Sequence, residues 1–114
     1  MRFFIVGDIC LEEVIGEPVE FAEAPGELYA VHRPHIGDTN ATCYWHVSHV
    51  ETGVRLSMGD SIDFAIENGR RVLASKTSEE IKAALDAARV RTAEAKSRLP
   101  IGPLVGGIAM TVTP

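Results

Sequence analysis

All four histidines of this chain fall in two HxxH pairs, His32-Arg33-Pro34-His35 and His46-Val47-Ser48-His49, within eighteen residues. Imidazole is a common zinc ligand, so this clustering is the first pattern in the sequence with chemistry attached to it. A geometric test is available. If residues 28–36 and 42–50 form a hairpin closed by a five-residue loop, positions whose numbers sum to 78 lie opposite one another. That register sets His32 against His46 and His35 against Cys43, each pair close enough to share a metal. A slip of one residue removes both pairings. Within each HxxH pair the histidines are three apart, and on a strand they point to opposite faces, so neither pair converges by itself. Neither carries the glutamate of the helical HExxH zinc motif. The candidate metal ligands are therefore His32, His35, His46 and His49, with Cys43 as a further donor and zinc as the ion. The competing reading is that of surface histidines, one of them packed beside Trp45. A pH-sensitive interface is a third use of the same residues.

No other constellation is specific enough to name a reaction. Gly59-Asp60-Ser61-Ile62 has the look of the start of a GDSL hydrolase motif, but no histidine follows His49 to complete a dyad, and Asp60 is accounted for as a helix cap. Gly102 to Gly107 has no lysine or hydroxyl residue at phosphate-loop spacing. Cys10 and Cys43 form no CxxC pair. The expectation is a protein that is not an enzyme and that needs no cofactor beyond the zinc option.

Charge points toward a protein partner. Residues 1–67 carry twelve acids against Arg2, Arg33 and Arg55, a net of −9, whereas residues 68–114 have a net of +4. A chain of net charge −5 is a poor non-specific ligand for nucleic acid, whose affinity comes mainly from phosphate neutralisation. Its acidic half suits a basic surface, with Glu12, Glu13, Glu17, Glu20 and Glu23 as the candidate contacts. Tyr44 and Trp45 adjoin on a strand and face opposite sides, which makes Trp45 the core residue and Tyr44 the exposed anchor near Arg33 or Arg55. The bases Arg70, Arg71, Lys82, Arg89, Arg91, Lys96 and Arg98 are interleaved with Glu79, Glu80, Asp86 and Glu94, as on ordinary solvated helix faces.

The stretch from Trp45 to Leu56, WHVSHVETGVRL, resembles the W-x-V-[ST]-H-x-x-T-G core of small accessory proteins from phages and mobile elements. The resemblance covers about a dozen residues. It implies a class of task, inhibition of host defence as by anti-CRISPR proteins, and transfers no catalytic residue. The expected function is a non-enzymatic protein-binding module that inhibits a nucleic-acid-processing complex by placing an acidic surface in a basic groove. The alternatives are a zinc protein built on the HxxH pairs and a structural homo-oligomer, a homodimer included, assembled through the apolar C-terminal tail.

These residues must be held by a single domain spanning 1–114: at 46% apolar and 24% charged, the chain has material for one core and no disulfide to staple it. Strands are expected over Arg2 to Val6, Leu28 to Ile36, Thr42 to Val50 and Val54 to Met58, the last two joined by a tight turn at Thr52-Gly53. Ile9 to Val14 is ambiguous between strand and helical turn. Glu17 to Gly26 reads as loop with one short strand. The period changes at Gly59. Asp60 is the expected cap of a first helix with Ile62, Ala65, Ile66, Gly69, Val72 and Leu73 on one face, and Asn68-Gly69 is expected to kink or split it. Thr77 and Glu80 form a capping box for a second helix that buries Ile81, Ala84, Leu85, Ala88, Thr92, Ala95 and Leu99 and stops at Pro100. The fold class is α+β: an antiparallel sheet of three to five strands, residues 1–58, packed against two helices within 60–99, followed by an apolar tail, 100–114. The Phe3 to Val6 run is broken by Asp8 and followed by Glu12 and Glu13, unlike a signal peptide, and the tail is too short and too broken to span a bilayer. A cytoplasmic setting with reduced thiols is the expectation.

Overall fold

The computed structural model describes residues 1–6, 11–33 and 44–101. Cys10, His35, Cys43, the Gly37-to-Asn40 turn cluster and the tail beyond Ile101 lie outside them, and with them the His35–Cys43 pairing. The hydrophobic run Phe3-Phe4-Ile5-Val6 forms β1 (Arg2–Val6). It pairs antiparallel with β2 (Leu11–Ile15), which settles the ambiguous second segment as strand. Pro18 keeps β3 (Glu17–Val19) short and at the edge, because proline cannot donate to a ladder on both sides. β4 (Tyr29–His32), β5 (Trp45–His49) and β6 (Arg55–Gly59) complete an antiparallel four-stranded sheet in the order β3-β4-β5-β6. Val31 lies opposite Val47 and His32 opposite His46, the register expected from the hairpin arithmetic.

Successive residues on β4 and β5 face opposite sides. Tyr29, Val31 and Val47 enter a core with Phe21, Ala24, Ala65, Leu73, Ile81 and Leu85, contributed in part by helices α1 (Ile62–Ala74) and α2 (Ser78–Arg98). Ala30, on the other face, packs with Phe3 and Val14 of the β1–β2 ribbon. The fold is thus α+β, with the sheet packed against the C-terminal helices as expected. The first strand joins the separate ribbon over the sheet's second face, because a run as apolar as Phe3 to Val6 is stable only when covered on at least one side.

Both helices carry side-chain caps. Ser61, not Asp60, caps α1: its hydroxyl accepts from the Phe64 N–H at 3.1 Å. Thr77 and Glu80 form the reciprocal capping box of α2. Asn68-Gly69 does not interrupt α1. Asn68 donates to the Met58 carbonyl at 2.9 Å, and a side chain on Gly69 would press on Leu56, Ser57 and Phe21 at 3.0–3.2 Å. The pair is there to bring α1 close to β6. Ile62 and Val72, expected on the buried face, remain exposed, and so does Ala84 of α2. Among the described residues no helix is long and apolar enough to cross a membrane.

Candidate functional site

The even-numbered positions of β4 and β5 place His32, His46 and Ser48 on the ribbon side of the sheet. Among the described residues, Ile5 and Val6 of the ribbon border a gap over that face. α2 runs past the gap, pinned to the β5–β6 turn where the Thr92 hydroxyl donates to the Thr52 carbonyl at 2.8 Å. Together they leave a cleft of about 730 Å³ whose lining includes His32, His46 and Ser48. Ile5, Val6, Val54 and Ala95 supply apolar wall, and Arg55, Arg91, Arg98 and Glu94 supply charge. Arg55, Arg91 and Arg98 are exposed and make no ion pair among the described residues. The volume falls within the range of small-ligand clefts, about 300–1,000 Å³.

Hydrogen bonds determine the protonation of His32. Its Nδ1 lies 2.6 Å from the Arg33 carbonyl, which can only accept, so Nδ1 carries the proton. Its Nε2 lies 2.8 Å from the Ser48 hydroxyl. Burial pushes the His32 pKa below its ordinary 6.5, against the opposing pull of the Arg33 carbonyl, so the ring is neutral at neutral pH and Nε2 accepts from Ser48. His46 stands edge-on to His32, with ring centroids 5.8 Å apart.

A second cluster sits on the helix side. His49 is 1% exposed; its Nε2–H donates to Glu27 at 2.8 Å and its Nδ1 meets the Thr52 hydroxyl at 2.8 Å. Candidate donor atoms of Glu27, His49 and Glu51 lie within 4.8 Å of one another, close enough for a metal. Arg89 already serves that group as its cation. Its guanidinium donates to both Glu27 oxygens at 2.9 and 3.0 Å, to Glu51 at 2.8 Å and to Asp86 at 3.0 Å. A bidentate guanidinium satisfies the acids here as a divalent ion would elsewhere.

The histidines named from the sequence are therefore divided. His32 and His46 meet in the cleft, while His49 lies on the opposite face, as the alternation of side chains requires. Both ring nitrogens of His32 and of His49 are engaged within the protein. Of the acids, Glu17 and Glu20 are exposed on and just after β3, Glu12, Glu13 and Glu23 are half-buried, and Glu13 stands 3.9 Å from Arg2. Tyr44 is half-buried, with its carbonyl accepting from Arg33 at 3.3 Å. The same Arg33 guanidinium lies 3.9 Å above the half-buried Trp45 ring, a cation–π contact.

No family model, curated protein or solved structure matches this chain. The site thus rests on its own geometry. Sequence reasoning assigns no site role to Ser48, Thr52 or Thr92, and it reads Arg91 and Arg98 as bases of a solvated helix face and Arg55 as a neighbour of an aromatic anchor. The signal for Ser48 was present, since the register that pairs His32 with His46 also places Ser48 diagonally across from His32. The signal on α2 was weaker: Arg91, Thr92, Ala95 and Arg98 share a helical face, and only the position of the ribbon turns that face into a wall.

Proposed function

We infer that the protein is a binding module that takes a small organic anion with an apolar body into the cleft between the β1–β2 ribbon, the sheet and the C-terminal half of α2. The observation that carries this reading is the set of three arginines, Arg55, Arg91 and Arg98, without ion pairs among the described residues around a cavity with apolar walls. Guanidinium groups recognise carboxylate, sulfonate and phosphate through paired N–H donors, and Ile5, Val6 and Val54 offer surface for the rest of the ligand. Calorimetric titration with anilinonaphthalene sulfonate, an aromatic body carrying one anion, tests it. We expect one molar equivalent to bind, with affinity falling as salt rises. In the Arg91→Glu/Arg98→Glu variant, folded by circular dichroism, binding should fall about tenfold or more. Equal affinity in the variant would reject the cleft as an anion site.

A second reading keeps the acidic half as a docking surface for a basic protein, as in an inhibitor that occupies a groove made for nucleic acid. It is favoured by Glu17 and Glu20, exposed on and after the edge strand β3 and free of ion pairs among the described residues. Glu27, Glu51 and Asp86 are committed to Arg89 and contribute less to such a surface.

A further inference from the structure

The contact between Ser48 and His32 is not used by anion binding. We propose that Ser48 is a nucleophile and His32 its general base, acting on esters that carry an anionic group into the cleft. The anionic part of this substrate class rests on the binding reading above; the nucleophile does not.

Three groups are aligned. The Arg33 carbonyl holds the proton on His32 Nδ1 at 2.6 Å, and this leaves the Nε2 lone pair directed at the Ser48 hydroxyl, 2.8 Å away. An orienting acceptor, a base in a defined tautomer and a hydroxyl in hydrogen-bond contact are the elements of an activated nucleophile. Both side chains line the 730 Å³ cleft and both are buried, His32 at 1% and Ser48 at 2% exposure, so the cleft is the side from which a reactant would reach them. Burial keeps the His32 ring neutral, against the opposing pull of the Arg33 carbonyl. Phe3 of the ribbon packs edge-on at 5.3 Å, His46 at 5.8 Å, and the charges on the cleft lining are Arg55, Arg91 and Arg98 against Glu94. The cluster of Glu27, His49 and Thr52 has similar atoms but a different role: its histidine proton goes to a carboxylate clamped by Arg89, and Thr52 Oγ1 also accepts the Val54 N–H at 3.3 Å.

In the first step the Ser48 oxygen bonds to the ester carbonyl carbon as its proton passes to His32 Nε2. The bond to the leaving alcohol then breaks, and the departing oxygen takes that proton. Water attacks the acyl-serine, giving one proton to Nε2; cleavage releases the carboxylic acid and returns the proton to Ser48. Negative charge that develops on the carbonyl oxygen does so in a cleft with an excess of guanidinium groups, whose field favours it.

Diisopropyl fluorophosphate, small and uncharged, tests the nucleophile independently of the arginines. Intact-mass analysis of the full chain should show a single diisopropylphosphoryl adduct, located on Ser48 by peptide mapping and absent from Ser48→Ala. His32→Gln should be labelled about a hundredfold more slowly, the loss expected on removal of a general base. Should that variant fail to fold, the pH profile of the wild type carries the test. Labelling should rise through one titration below 6.5, where burial places His32. No adduct on the folded wild type, an adduct that survives in Ser48→Ala, or a flat pH profile would each overturn the proposal. Hydrolysis of 4-nitrophenyl hemisuccinate in preference to 4-nitrophenyl acetate, with the preference lost in Arg91→Glu/Arg98→Glu, would establish the anionic substrate class; equal rates on the two esters would reject that class.

Discussion

Glu27 shows how one side chain can decide what a cluster of potential ligands becomes. Desolvation by itself would raise its pKa, but hydrogen bonds from His49 and Arg89, together with their charge, hold the carboxyl below its ordinary 4.5. A depressed carboxylate adds stability that is fully present above pH 4.5 and disappears as pH falls through the folded-state value. Glu27→Gln should therefore lower the unfolding free energy near pH 7 by about 1–2 kcal/mol, through the loss of charge-assisted bonds. The gap between variant and wild type should narrow as the pH of a urea titration is taken below 4.5. A gap of constant size would mean that Glu27 acts by packing alone. The neighbouring Arg89 is held above its ordinary value chiefly by the hydrogen bonds it donates to Glu51 and Glu27, so it remains a fixed cation throughout this range.

At the level of elements, the turn between β5 and β6 ties three parts of the molecule together. The Thr52 hydroxyl donates to His49 Nδ1 and its carbonyl accepts from Thr92, and Gly53 has φ +72° with the backbone of β1 against it: an added Cβ would stand 2.3 Å from the Phe4 carbonyl oxygen and 2.8 Å from Ile5 Cα. Left-handed backbone costs a non-glycine residue about 1–2 kcal/mol, and the steric conflict adds to it. Gly53→Ala should thus lower stability in chemical denaturation by more than about 2 kcal/mol, whereas an alanine tolerated at wild-type stability would show that β1 yields at this point. Thr52-Gly53 was legible as a tight turn from residue type. The pressure of β1 on Gly53 was not, since residues nearly fifty positions apart make it. Asn68-Gly69 shows the same limit: local propensity argues for a break, and tertiary contact with Met58, Leu56 and Phe21 supplies the reason for an intact helix.

Over the whole molecule, the four-stranded sheet carries helices on one face and the ribbon on the other, and described residues of the ribbon, the sheet and α2 together border the cleft. Phe3 and Val14 dock the ribbon on Ala30. The Leu11 N–H donates to the Pro100 carbonyl at 2.8 Å, and Leu11 bridges Ile101 in parallel, so the end of the second helix is tied to β2. Phe3→Ala removes a ring that is 5% exposed and should cost about 3 kcal/mol in urea unfolding. Because the same ring packs against His32 at 5.3 Å, dye binding in the cleft should weaken in parallel, and retention of full affinity would separate the ribbon from the site.

Much of the architecture was already determined by the order of residue types. Alternation and turn chemistry located β1, β4, β5 and β6, the Thr77–Glu80 box located the second helix, and the arithmetic of one hairpin paired His32 with His46, because each of these depends on neighbours close along the chain. Ser61 displaced Asp60 as a cap by a shift of one residue, a distinction that side-chain geometry makes and composition does not. Only the tertiary structure decided the rest. It set Arg89 and Glu27 against His49, docked the ribbon's Phe3 on His32, and brought three arginines from β6 and α2 around one cavity. Those contacts span up to 62 residues of sequence and depend on how the ribbon and helices dock, which no local pattern encodes.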